Sequence, residues 1–194
     1  MREMPIKGLI LSGGYSTRMG RDKGALSWDG GLLVHHQARR LSGIVDNVFI
    51  SCREEQLETY RGDFPLLADT LPSGGPMTGL LRAMDEFPEI AWLVLSVDMP
   101  YLQSSLLLDL TDLAEEKYIA SVYRQDDGIL QPLVGIWYPG AKSVLEAAFA
   151  AKEYSLQKLL QNHNVRILES PRDADWTNLN TMPRRFERQR ELKP

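Results

Sequence analysis

The stretch Ile-Ala-Trp-Leu-Val-Leu-Ser-Val at residues 90–97 restricts the fold of this chain more than any other feature. It is apolar at nearly every position rather than at alternate ones, as a strand is when both faces of its sheet are covered. Covering both faces takes strand–helix–strand crossovers, which place helices on either side of a mostly parallel sheet. The remaining sequence supplies those units. Apolar runs at 6–11, 45–51 and 64–68 read as strands, and 32–41 and 77–87 carry apolar residues at helical spacing. Residues 54–60 suggest a short helix, and 102–116 a longer one with Ser104 or Ser105 as its cap. Residues 118–124 and 129–137 flank Gln-Asp-Asp-Gly, whose Asp127-Gly128 pair predicts an antiparallel hairpin. Helices at 141–151 and 155–161, the second begun by Ser155, a strand at 165–168 and a charged helix at 184–192 complete the chain. The expectation is one α/β domain over residues 1–194: three layers, with a Rossmann-like, mostly parallel sheet between helices.

Charge and composition narrow the function classes. A net charge of −4 gives no global attraction to nucleic acid or to an acidic membrane, so any anion site must be local. One cysteine, Cys52, permits no internal disulfide and no Cys-rich metal site. His35, His36 and His163 lack metal-ligand spacing, and the first two read as partly exposed helix residues. The N-terminal apolar run is broken by Lys7 and is too short for a signal peptide or a membrane span; the expected location is the cytoplasm.

In open parallel sheets, ligands bind beyond the strand C-termini. That rule selects the loops at 12–24, 51–54, 69–76 and 98–101. The first belongs to the stretch Leu-Ser-Gly-Gly-Tyr-Ser-Thr-Arg-Met-Gly-Arg-Asp-Lys-Gly at residues 11–24. Gly13, Gly14 and Gly20 can let a backbone approach phosphates, Ser12, Ser16 and Thr17 offer hydroxyls, and Arg18 and Lys23 offer charge. The loop is neither a Walker A sequence nor a dinucleotide fingerprint. Glycine content alone leaves a solvated loop and a phosphate cradle equally open; Arg18 and Lys23 after the first strand favour the cradle.

These residues resemble the signature of the molybdenum-cofactor guanylyltransferase (MobA) family, within the nucleotidyltransferases that use NTPs; Arg-Met-Gly-Arg-Asp-Lys at 18–23 narrows the likeness to that branch. Gly-Gly-Pro-Met-Thr-Gly-Leu at 74–80, Val-Asp-Met-Pro-Tyr-Leu at 97–102, Gln-Pro-Leu-Val-Gly-Ile-Trp at 131–137 and Asn-Leu-Asn-Thr-Met at 178–182 resemble further family segments in the same order. The resemblance implies a nucleotide-diphospho-sugar transferase-like fold and transfer of GMP from GTP to molybdopterin cofactor, with release of pyrophosphate. It implies catalytic roles for Arg18, Lys23 and Asp98, and Mg²⁺ held by Asp98. Nucleotide contacts are implied at Leu11, Ser12, Gly13, Gly14, Lys23, Ser51, Asp69, Gly75 and Asp98, and acceptor-side contacts at Asn178 and Asn180, which alternate and would share one side of a strand. GTP and molybdopterin cofactor are the implied substrates. Cofactor-synthesis proteins or recipient molybdoenzymes are the implied protein partners, with no nucleic acid and no membrane. The residue types suit the chemistry: two anions must meet while charge grows on a leaving pyrophosphate, so positioned cations supply most of the catalysis.

Several of these residues also fit ordinary structural roles. Asp98 before Pro100 and Asp69 in Ala-Asp-Thr-Leu-Pro could be turn residues, and Asp22 could orient Lys23, hold a backbone amide or sit in a solvated ion pair. Gly75 and Pro76 could simply start a helix. The sequence departs from the family pattern at Ser51, where Asn is usual; after Gly30, where Gly31 replaces a cation; and at Met182, where Pro is usual. A nucleotidyltransferase using CTP or another NTP, on the same cofactor or on a sugar or polyol phosphate, is the alternative, and a noncatalytic carrier is a second class.

Overall fold

The computed structural model describes residues 4–12, 22–71 and 74–179. Its main sheet has seven strands: β1 (Ile6–Leu11), β4 (Val48–Cys52), β5 (Leu66–Ala68), β6 (Ala91–Ser96), β7 (Ala120–Arg124), β8 (Leu130–Trp137) and β9 (Val165–Glu169). They lie in the order β5-β4-β1-β6-β8-β7-β9. Every neighbouring pair is parallel except those made by β8, which runs antiparallel to both β6 and β7. From β1 the chain moves out through β4 to β5 and then returns to place β6 on the other side of β1. The loops leaving β1 and β6 therefore diverge from adjacent strands, the geometry that opens a crevice at the C-terminal edge.

The eight-residue apolar run does what its pattern requires. Leu93 and Leu95 of β6 face one core, with Leu33, Val34, Ala38 and Leu41 of α1 (Leu33–Ser42) and Leu106, Leu107 and Leu110 of α3 (Ser104–Asp112). Trp92 and Val94 face the other, with Met77, Leu80, Leu81 and Met84 of α2 (Pro76–Glu86), Leu145 of α4 (Ala141–Ala150) and Leu156, Leu159 and Leu160 of α5 (Leu156–Gln161). Each fully buried side chain of this kind contributes about 1.5–3 kcal/mol, so the two cores hold the sheet between helical layers.

Several boundaries differ from the sequence reading, each for a local reason. Val45 is buried but lies in the turn after α1; pairing in β4 starts only at Val48. The helix expected over 102–116 is the shorter α3, and its N-cap is Gln103, so neither Ser104 nor Ser105 caps it. Beyond it, the Glu115 N–H donates to Tyr138 Oη and Arg166 pairs with Glu115, drawing the chain toward β7. Only Glu54–Gln56 of the expected 54–60 helix forms a helical turn. His35 is buried and stacks on Phe64 rather than lying partly exposed. A hairpin of β2 (Ser27–Trp28) and β3 (Gly31–Leu32) was not anticipated. It turns on Asp29 (φ 45°) and Gly30 (φ 80°), the two positive-φ positions of a tight hairpin, with the same Asp-Gly signal read at 127–128. Residues 170–179 contain no strand, so Asn178 does not sit on one. Asn180 and the terminal helix expected at 184–192 lie outside the described residues.

Candidate active site

β1 and β6 are paired in register to their last residues, Leu11 against Ser96, so the loops that follow start side by side. Across that point the Lys23 Nζ donates to Asp98 Oδ2 at 2.9 Å, with the two side chains only 12% and 11% exposed. The other Asp98 oxygen accepts from Ser96 Oγ at 2.7 Å. Both side chains are largely shielded from solvent, so each charge depends on the other; removing one partner of a buried pair costs about 3–5 kcal/mol. The loop carrying Asp98 is clamped from α1. Gln37 Nε2 donates to the Ser96 carbonyl at 3.4 Å, while Arg40 donates to Gln37 Oε1 at 2.7 Å, to the Pro100 carbonyl at 3.2 Å and to the Leu102 carbonyl. Burial lowers the pKa of Arg40 from its ordinary value. From the far end of the described chain, the Leu179 N–H donates to the Asp98 carbonyl at 3.0 Å, which brings Asn178 to the same edge.

A second polar cluster lies where Ser12 and Asp22 approach the 54–60 segment. The Tyr60 hydroxyl, fully buried, donates to Asp22 Oδ1 at 2.5 Å and lies 2.8 Å from Ser12 Oγ. Gln56 Nε2 donates to Asp22 Oδ2 at 2.8 Å and to Tyr60 Oη at 3.0 Å. Burial first, and then the Asp22 carboxylate, push the Tyr60 phenol well above its ordinary range, so it stays protonated. Its single proton goes to Asp22, and Ser12 must therefore donate to it.

The third cluster supports Asp69, which follows β5. One carboxylate oxygen accepts from Ser51 Oγ at 3.0 Å; the other lies 3.2 Å from Thr78 Oγ1, whose one proton it shares with the Gly75 carbonyl at 2.7 Å. Burial raises the Asp69 pKa, against the lowering effect of those hydrogen bonds. Gly75 caps α2 with φ 60°, a conformation that favours glycine, and a Cβ placed on it would meet no atom of the described residues within 4 Å, its chain neighbours aside. Gly79 makes room on the opposite side: a methyl there would overlap Ser51 Oγ and stand 2.8 Å from Leu11 Cδ2.

The structure thus brings Lys23 to Asp98 and Ser51 to Asp69, and sets Leu11 and Ser12 between them at the end of β1. Two expected side-chain roles change. Ser12 turns its hydroxyl to Tyr60 and donates its N–H to the Ser51 carbonyl, so both of its donors point into the protein rather than into a cradle. Ser51 is 1% exposed and holds Asp69 instead of facing the crevice. Asp22 turns to Tyr60, Gln56 and the Gly24 N–H, so it holds a backbone amide, as one of its open readings had it, rather than sitting in a solvated ion pair. Gly13, Gly14 and Arg18 lie outside the described residues. The sequence reading missed Gln37, Arg40, Gln56, Tyr60, Thr78 and Ser96; Gln37 and Arg40 at i and i+3 on one helix face were the one local hint. Among the described residues no group of three or more His, Cys, Asp or Glu could hold a metal ion, so a cation here would take most of its ligands from a bound substrate and water. Among the same residues no helix is long and apolar enough to cross a membrane.

A family model described as a MobA-like NTP transferase domain matches residues 8–167. A molybdenum cofactor guanylyltransferase of Pseudomonas putida is 34% identical over 184 residues, which cover 93% of this chain and 95% of that protein. A molybdenum cofactor biosynthesis bifunctional protein of Synechocystis is 29% identical over 92% of this chain, which spans about half, 52%, of that longer protein. The crystal structure of molybdopterin-guanine dinucleotide biosynthesis protein A from Archaeoglobus fulgidus superposes with a TM-score of 0.75 at 22% identity, covering 96% of this chain and 97% of that one. This last likeness establishes the fold.

Proposed function

Because the chain belongs to the MobA-like NTP transferase family, we propose that it is a molybdenum cofactor guanylyltransferase, acting as one domain over residues 1–194 in the cytoplasm. It transfers GMP from GTP to the terminal phosphate of molybdopterin cofactor. An oxygen of that phosphate attacks the α-phosphorus of GTP; a new P–O bond forms, the bond to the β-phosphate oxygen breaks, and pyrophosphate leaves with the electron pair. A phosphate monoester is already largely ionised near neutral pH, its second pKa being about 6, so the attack requires no general base. What the reaction requires is positive charge held in place.

Lys23 provides it at the α-phosphate or the leaving group, and Arg18 clamps phosphate oxygens with its planar fork. Asp98 is the proposed metal ligand. Its hard carboxylate oxygens suit Mg²⁺, and the site already stabilises a cation 2.9 Å away in the form of Lys23. Mg²⁺, when bound, neutralises charge on the triphosphate. Leu11, Gly13 and Gly14 offer backbone to the nucleotide. Asp69, held by Ser51, and Gly75 at the start of α2 line its other side. Ser12 acts as an anchor of the loop. Asn178 and Asn180 serve the acceptor side, and cofactor-synthesis proteins or recipient molybdoenzymes are the protein partners.

The observation that carries this reading is the Lys23–Asp98 pair at the paired ends of β1 and β6 in a chain of this family. The test is pyrophosphate release with molybdopterin cofactor and Mg²⁺, run separately with GTP, CTP, ATP and UTP. GTP is the preferred donor on this account. A preference for CTP would make the protein a cytidylyltransferase instead.

A further inference from the structure

We propose that Tyr60 and Gln56 are positioning residues which, through Asp22 and Ser12, fix where Lys23 stands against Asp98. The catalytic consequence rests on the role proposed above for Lys23; the placement itself does not.

Each proton in the cluster has one place to go. Gln56 cannot turn over, because its Oε1 accepts the Arg53 N–H at 2.8 Å. Its Nε2 therefore faces inward, with one donor for Asp22 Oδ2 and one for Tyr60 Oη. The Tyr60 proton goes to Asp22 Oδ1, which also accepts the Gly24 N–H at 3.0 Å. Ser12 closes the set by donating to Tyr60. A buried phenol needs one partner to avoid an unsatisfied group; here three side chains converge on it. Asp22 accepts three donors, so its own position is over-determined.

The residues held in this way flank Lys23. Asp22 is pinned on one side. On the other, Gly24 is pinned by its N–H on Asp22, by the Val34 N–H that donates to its carbonyl, and by its lack of a side chain. A methyl on Gly24 would overlap Tyr60 Oη and stand 2.5 Å from Ser12 Oγ. The Lys23 carbonyl itself accepts the Leu26 N–H at 3.1 Å. With the backbone fixed at 22–24, the flexible lysine stem begins from one point, and its ammonium reaches Asp98, 75 residues away in the chain. Tyr60 touches neither Lys23 nor Asp98 in this network and acts only through its neighbours.

The test reads Lys23 directly in the free protein. Lysines are ¹³C-methylated reductively, Lys23→Arg identifies the Lys23 resonance, and Asp98→Asn marks where that resonance falls without the ion pair. Tyr60→Phe removes one oxygen and keeps the ring in the core. It is expected to move the Lys23 signal toward the Asp98→Asn position while leaving the other lysines unchanged, and to lower kcat about 10–100-fold, the scale of a small misplacement. Gln56→Met, close in volume, repeats the test and replaces Tyr60→Phe should that variant not fold. An unmoved Lys23 signal in folded Tyr60→Phe or Gln56→Met protein overturns the proposal. A displaced signal together with wild-type turnover by Lys23→Ala upholds the placement and overturns the catalytic role of Lys23 instead.

Discussion

Replacing Gly79 by alanine should destabilise this protein, although the same change inside a helix ordinarily stabilises by about 1 kcal/mol. Gly79 lies within α2, and its missing side chain faces the end of β1 and β4. An added Cβ would overlap Ser51 Oγ, and would stand 2.8 Å from Leu11 Cδ2 and 3.1 Å from Ser51 Cβ. The Ser51 hydroxyl could rotate away, but it would then leave Asp69, and a hydrogen bond to a charged group contributes about 1.5–3 kcal/mol. The Ser51 Cβ and Leu11 belong to paired strands and cannot retreat without moving the sheet; overpacking of this kind costs about 1–3 kcal/mol. Set against the propensity gain, the net loss is about 1.5–5 kcal/mol, a fall in Tm of about 3–20 °C for a chain of this size. Chemical denaturation of wild type, Gly79→Ala, Ser51→Ala and the double variant measures both the loss and its origin. The double variant should be more stable than the two single losses added together, by about 1–3 kcal/mol, because the second change removes the atom the first collides with. A neutral or stabilising Gly79→Ala, or strict additivity, would show that Gly79 and Ser51 are not in tight contact.

The pH response of Asp69 follows from its burial. Its carboxyl is raised above the ordinary 3.8, so the stability linked to its protonated form is complete below 3.8 and is lost as pH rises through the folded-state value. Asp69→Asn should therefore gain stability relative to wild type as pH rises from 3.5 to 7 in denaturation experiments, and a flat difference would contradict the assignment. Cys52 is fully buried and its thiol is pushed up to about 11, chiefly by burial, so thiol reagents at pH 8 should label the native protein far more slowly than the denatured one. Labelling at equal rates would show that β4 opens readily.

What the sequence revealed and what it concealed divide along a physical line. The apolar run at 90–97 implied two covered faces because period and burial are local properties of a strand, and Leu93 and Trp92 do face opposite cores. Lys23 and Asp98 were each picked out by lying after a strand, and the sheet order makes those two strands neighbours. Tyr60 and Gln56 were hidden because their partner Asp22 lies 38 and 34 residues away, and nothing in a short window marks a phenol as the receiver of three polar groups. The hydroxyls of Ser12 and Ser51 turn inward, to Tyr60 and Asp69, which the sequence could not show, since a hydroxyl at a strand end can turn inward or outward and only its neighbours decide. The Asp29-Gly30 hairpin had a legible signal that the helical spacing just after it obscured.

In the proposed function, Lys23 and Asp98 form the working centre of a guanylyl transfer. The decisive measurement is transfer of label from α-³²P-GTP to molybdopterin cofactor in the presence of Mg²⁺, compared among wild type, Lys23→Ala and Asp98→Ala. The wild-type protein should label the acceptor, and each variant, shown by circular dichroism to be folded, should do so about 10²–10³-fold more slowly, the usual loss when one electrostatic stabiliser of a transition state is removed. Labelling by either folded variant at a rate within a few-fold of wild type would contradict the account.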